Sequence, residues 1–168
     1  MLKARGAQED IFRLAFLGDA EGVARELERQ PELLNAEDPH DPIYFTPLIA
    51  FAVAGAHCEL AQQLISRGAQ LAQYSAQLLW LAVKDKGGRL DLLDALLAGG
   101  VDARAAEPIV FLSHQQAAIE RLLDSGAPVN KPGPNGFPPL VYLARADKGM
   151  RQETLSLLLA RGADVNIR

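Results

Sequence analysis

The chain has 168 residues, 49% of them hydrophobic and 23% charged, which suits one globular domain or one short array of repeats and excludes wholesale disorder. Lys and Arg number 17 and Asp and Glu 21, a net charge of −4, so no general electrostatic pull draws the chain to phosphate backbones. The single cysteine, Cys58, excludes an internal disulfide framework and a cysteine-based structural zinc site.

The opening residues carry positive charge but meet acids before any apolar run, which predicts no secretory leader. The first forty residues hold 5 basic and 9 acidic side chains, read as the solvated face of a terminal helix pair. Helices are predicted over Asp10–Gly18 and Ala20–Gln30. Ile11, Phe12, Leu14, Ala15 and Phe16 are expected on one buried face, with Arg13, Glu21, Arg25, Glu28 and Arg29 toward water. The uncharged stretch Pro42–Cys58 is interrupted by Pro47 and is shorter than the roughly 20 apolar residues of a membrane span, so it reads as buried protein. The simplest setting is cytoplasmic, with no membrane partner.

Thr46 suits an N-cap and Pro47 the first helical position, where its missing N–H costs nothing. The short helix Pro47–Ala54 is rich in alanine, which lets neighbours approach closely. A turn at Gly55–His57 leads to a helix over Glu59–Ser66 that presents Leu60, Leu64 and Ile65 at helical spacing. Arg67 favours that helix's negative end, and Gly68 is the expected left-handed cap. Further helices are predicted near Ala76–Lys84, with Trp80 read as core, then Leu90–Ala98, Pro138–Ala146 and Arg151–Arg161. Pro108–Ser113 is barely more than a turn. In the last helix, some of Leu155, Leu157, Leu158 and Leu159 are expected to stay exposed.

Three segments close alike: Leu64-Ile-Ser-Arg-Gly-Ala-Gln-Leu71, Leu122-Leu-Asp-Ser-Gly-Ala-Pro-Val-Asn130 and Leu158-Leu-Ala-Arg-Gly-Ala-Asp-Val-Asn166. A fourth, Leu96-Leu-Ala-Gly-Gly-Val-Asp102, carries Val101 in the alanine position. The shared glycines Gly68, Gly100, Gly126 and Gly162 lie 32, 26 and 36 residues apart. Thr46-Pro-Leu48 and Pro138-Pro-Leu140 each open an apolar run. This grammar resembles the ankyrin repeat, with its period of about 33 residues. The resemblance implies an all-α repeat solenoid filling residues 1–168 as a single domain. About five ankyrin repeats are expected, near 7–39, 40–73, 74–106, 107–130 and 131–168, the first and fourth degenerate.

The pattern is also departed from. The histidine that the family places after Thr-Pro-Leu is Ile49, Trp80 and Val141 in the second, third and fifth units, so the hydrogen bonds it usually makes are expected to be absent. The fourth unit lacks roughly seven residues, on the family's period of about 33, which predicts a notch near Glu107–Gln116 that is either a tolerated deletion or a binding feature.

Chemistry-bearing patterns are sparse. Gly87-Gly88 and Gly99-Gly100 lack the Lys-Ser/Thr or third spaced glycine of a phosphate loop. His57 and Cys58 are adjacent, as are Ser113 and His114, so neither pair converges on one metal or one proton on a helix. Asp91/Asp94 and Glu26/Glu28 fall on solvated faces. No catalytic, cofactor or metal residue is assigned, and the expectation is a non-enzymatic protein.

The resemblance instead implies protein–protein interaction through a concave surface of hairpin tips and first helices. The positions matching it are His40, Tyr44, Phe45, Tyr74, Arg104, Lys131, Phe137 and Arg145, with Lys84, Asp85, Lys86, Asp147 and Lys148 at first-helix ends. Tyr44, Phe45, Tyr74 and Phe137 lead, since exposed aromatics bury large area at small entropic cost. The partner class is protein, not nucleic acid. The alternative, from resemblance to small stand-alone bacterial ankyrin proteins, is an immunity-type inhibitor of a cognate toxin. No polar unit caps the last repeat, which adds the expectation of docking there, on a partner or as a homodimer.

Overall fold

Asp10 opens the first described helix by accepting a hydrogen bond from the Phe12 amide at 3.1 Å, and Asp19 caps the next by accepting from Gly22 at 2.9 Å. The computed structural model describes residues 10–40, 46–84, 90–113, 115–145 and 151–166. Among these the protein is all-helical: nine α-helices and four short 3-10 helices, with only an isolated bridge between Glu37 and Pro47 in extended pairing. The chain divides into two compact units, Met1–Gln70 and Leu71–Arg168.

The first unit contains α1 (Ile11–Leu17), α2 (Ala20–Arg29), a 3-10 helix Pro31–Asn35, α3 (Leu48–Ala54) and α4 (Cys58–Ser66). Helix α1 packs on α3, where Ala15, Ala50 and Ala52 are fully buried and the Phe12 and Phe51 rings lie 5.3 Å apart. Small residues at the crossing allow this approach, and the aromatic pair adds to the area buried. Ile11, Phe12, Leu14 and Ala15 are buried as the pattern predicts, but Phe16 is 49% exposed. At about 100° per residue, Phe16 stands roughly 120° from the centre of the stripe that the other four define, beyond what one neighbouring helix covers. Helix α3 begins one residue later than predicted: Pro47 is extended, at ψ 159°, and flanks the helix rather than opening it.

His57 supplies a link between the helix pairs that the motif reading did not foresee. Its Nε2 lies 3.0 Å from the Phe16 carbonyl, which can only accept, so the ring donates. The ring sits where Cβ atoms at Gly18 and Gly55 would fall. Gly55 is needed for this closeness and not for its backbone, since its φ is −79° and the left-handed turn falls instead on Ala56, at φ 59°.

The second unit contains α5 (Ser75–Val83), α6 (Leu90–Ala98), α7 (Gln116–Asp124), α8 (Pro139–Arg145) and α9 (Arg151–Ala160), with 3-10 helices at Ala72–Tyr74, Ala103–Ala105 and Pro108–Leu112. Within it α5 packs on Pro108–Leu112, which packs on α8; α6 packs on α7 and α7 on α9. Two rows result, tied by the pairs α5/α6 and α8/α9. The core is aliphatic, with Leu78, Leu79, Leu92, Leu93, Leu96, Ile119, Leu122 and Leu158 all under 2% exposed alongside Phe111. Each such side chain contributes about 1.5–3 kcal/mol by burial. In α9 Leu158 is buried while Leu155 and Leu159 stay exposed.

The four recurring glycines share one conformation. Gly68, Gly100, Gly126 and Gly162 have φ of 93°, 103°, 94° and 86°. In each case the amide after the glycine reaches back to a leucine carbonyl of the last helical turn: Ala69 to Leu64, Val101 to Leu96, Ala127 to Leu122, Ala163 to Leu158. These bonds satisfy carbonyls the helix leaves orphaned, and a β-carbon would strain the left-handed backbone. Asparagines bind the loops that follow. Asn35 Oδ1 accepts from the Gln70 amide, and Asn130 Oδ1 accepts from the Asp164 amide, both at 2.8 Å. Among the described residues no helix is long and apolar enough to cross a membrane.

Candidate functional site

The site is built from three short segments of the second unit. Trp80 lies in α5 and Lys84 follows its last residue in helical conformation, four positions on, so they share a face, and the Lys84 ammonium lies 5.3 Å from the centre of the Trp80 ring. Trp80 is 37% exposed, which overturns its reading as core. The cause is the one found at Phe16: Leu78, Leu79, Ala82 and Val83 define the buried stripe, and Trp80 falls roughly 120° from its centre.

The second segment is the 3-10 helix Pro108–Leu112, where the sequence predicted little more than a turn. The Val110 amide donates to the Glu107 carbonyl at 3.0 Å, and the Ser113 amide to the Val110 carbonyl at 3.1 Å. With three residues per turn, positions i and i+3 eclipse. Pro108 and Phe111 therefore align inward and are buried, whereas Ile109 and Leu112 align on another edge, with Ile109 43% exposed. Ser113 fixes this segment to α5: its buried hydroxyl donates to the Val83 carbonyl at 2.9 Å and accepts from the Gln115 amide at 3.2 Å.

The third segment is the loop before α8 with the helix itself. The Gly133 amide donates to the Phe137 carbonyl at 2.9 Å, and Gly136 takes φ 75° to close the turn. A β-carbon at Gly133 would fall 2.9 Å from the Tyr142 hydroxyl, so the loop lies directly on that side chain. Phe137 meets Tyr142 edge to face, with centroids 6.5 Å apart, and the Arg145 guanidinium lies 5.0 Å from the Phe137 ring centre. Phe137 is 38% exposed.

Two clefts result. One, of about 180 Å³, is lined by Trp80, Val83, Lys84, Ile109, Leu112 and Ser113. The other, of about 300 Å³, is lined by Leu112, Asn135, Phe137, Tyr142 and Arg145. They share Leu112. Among the described residues neither is lined by a carboxylate, an imidazole or a thiol. Nor do three His, Cys, Asp or Glu side chains converge anywhere among them as a metal site would require.

Of the six described positions among the eight singled out in the sequence, Phe137 and Arg145 come together here. Tyr44 and Phe45 lie outside the described residues, as do Asp85, Lys86, Asp147 and Lys148. His40 belongs to the first unit, where its amide and its Nδ1 approach Asp38 Oδ1 at 2.8 and 3.2 Å. Tyr74 is half-buried in a 3-10 turn. Arg104 pairs with Asp102 at 3.0 Å. Its side-chain hydrogen bond, then its backbone N–H, holds the Asp102 carboxyl below the usual aspartate range, and the same bond raises Arg104. Lys131 reaches the Glu107 carboxylate at 3.1 Å and the Ala105 carbonyl at 3.5 Å. Ile109, Leu112 and Asn135 were missed as lining residues. The signal for the first two was a five-residue segment, Pro-Ile-Val-Phe-Leu, with no polar side for solvent. No family model and no curated protein matches the chain.

Proposed function

We propose that the chain is a non-enzymatic protein-binding module, an ankyrin-type array of helix pairs, and that the second unit grips its partner along the paired clefts. The repeated left-handed glycine closures support the repeat reading, as do the matching asparagine bonds of Asn35 and Asn130. One observation carries the functional reading. Trp80, Ile109 and Phe137, large apolar side chains left exposed, line two clefts that share Leu112, beside two cations and without a carboxylate, imidazole or thiol among the described lining residues. Rigid aromatics beside cationic groups give large buried area on association at low entropic cost. The clefts are lined by α5, by Pro108–Leu112 with Ser113, and by α8 with the loop before it, elements that the family resemblance reads as first helices and a hairpin tip, where it places partners.

A photo-reactive amino acid at Ile109, introduced in the native cell, tests this. A discrete protein adduct is expected from position 109 and none from the same probe at Ser125, an exposed residue at the far end of α7. Equal labelling from both positions, or none from 109, would refute it.

A further inference from the structure

The cations whose side chains are described in the second unit divide into two groups. Arg104, Arg121, Lys131 and Arg161 each pair with a carboxylate, on Asp102, Asp94, Glu107 and Asp124, at 3.0, 3.2, 3.1 and 2.6 Å. Lys84 and Arg145 have no carboxylate partner among the described residues and rest on the rings of Trp80 and Phe137. A ring face orients a cation without neutralising it, and it does not itself accept from the outward N–H donors. Among the described residues, the two cations so treated are also the two that line the clefts, one in each, on either side of the shared Leu112.

We propose that the paired clefts select an acidic peptide segment. In this arrangement two carboxylates of an extended partner strand meet Lys84 and Arg145, and an apolar side chain between them lies against Ile109 and Leu112. The inference rests on the protein-binding reading and adds the partner's chemistry to it. Charge complementarity argues for the occupant: both cleft cations are positive, no described lining residue opposes them, and the lining between them is aliphatic and aromatic. Arg145 offers the planar fork that matches a carboxylate, and Lys84 a point charge. A nucleic acid fits poorly, because phosphate backbones are held by many basic contacts and here two described cations line the clefts of a chain of net charge −4.

The test uses the full-length protein and a set of capped, fluorescently labelled peptides. Each has two glutamates flanking a central leucine, the spacing between the glutamates being stepped one residue at a time, about 3.3 Å of extended chain. Binding is read by anisotropy and by emission of the single tryptophan, Trp80. One spacing is expected to bind best, to weaken with added salt, and to lose about two- to fivefold in affinity with Lys84→Gln or Arg145→Gln. Arg13→Gln, which removes an exposed charge from α1, is expected to leave affinity unchanged. Glutamine-for-glutamate peptides that bind as tightly would overturn the acid preference and leave the protein-binding reading standing. Absence of peptide binding while position 109 still cross-links a protein would do the same. Binding of oligothymidylate in place of every peptide, with no protein adduct at 109, would remove both.

Discussion

Replacing Gly18 by alanine loads two separate costs onto one residue, and Gly68 separates them. Both glycines are left-handed, at φ 78° and 93°, so alanine at either costs about 1–2 kcal/mol in backbone strain. At Gly68 nothing lies within 4 Å of the new β-carbon. At Gly18 the new atom would sit 2.5 Å from His57 Cε1 and Nδ1, so the ring must move and its bond to the Phe16 carbonyl is lost. A net hydrogen bond is worth about 1 kcal/mol, so Gly18→Ala should cost about 1 kcal/mol more than Gly68→Ala. For a chain of this length that is a further drop of about 2–4 °C in Tm. Urea unfolding followed by far-UV circular dichroism gives the free energies, while Trp80 emission reports the second unit separately. In a His57→Ala background the ring is absent, and Gly18→Ala should fall to the cost of Gly68→Ala, a coupling of about 1 kcal/mol. Equal costs for the two alanines in the wild-type background, or no coupling in the double variant, would refute the clamp.

Ala56→Gly should stabilise the protein by about 1 kcal/mol in the same assay, because Ala56 holds φ 59° without being glycine. Ile109→Ser should change stability by less than about 1 kcal/mol, whereas Phe111→Ala, two positions on and 1% exposed, should cost about 3–5 kcal/mol. The folded-state pKa of Asp102 is depressed, so its contribution to stability is present at neutral pH and is lost as pH falls through the lowered folded value. In Arg104→Gln the larger cause disappears, and the Asp102 carboxyl carbon followed by NMR should titrate at higher pH; an unmoved midpoint would count against the pairing.

The helix pairs were legible because their ends are marked by residues with few alternatives. Asp10 and Asp19 cap, Gly68, Gly100, Gly126 and Gly162 close, and leucines at helical spacing fix the inward side. What the sequence hid was azimuth at the stripe's edge. Phe16 and Trp80 each follow two buried residues, Leu14-Ala15 and Leu78-Leu79, and counting apolar residues places them inside; the angle of roughly 120° from the stripe's centre leaves them out. The ankyrin resemblance looks for histidine after Thr-Pro-Leu, where Ile49 stands, while the ring that ties the first two helix pairs is His57 in the following turn. The cleft was hidden for another reason. Trp80, Ile109 and Phe137 are about thirty residues apart, and only side-by-side packing of α5, Pro108–Leu112 and α8 assembles them.

The brevity of the Pro108–Leu112 helix explains why a cleft forms there at all. Five consecutive apolar residues can satisfy two flanking helices only from one side, so any conformation of Pro108–Leu112 leaves something apolar toward solvent. An α-helical turn would scatter those residues at 100° steps; the 3-10 turn collects them, stacking Pro108 over Phe111 inside and Ile109 over Leu112 outside. The outward pair thus becomes a continuous aliphatic edge between Trp80 and Tyr142 instead of two isolated side chains. For solvent exposure alone, serine or glutamine would serve as well at both positions. Two aligned aliphatics beside two exposed aromatics, each aromatic carrying a cation without a described carboxylate partner, form a surface that gains most by being covered.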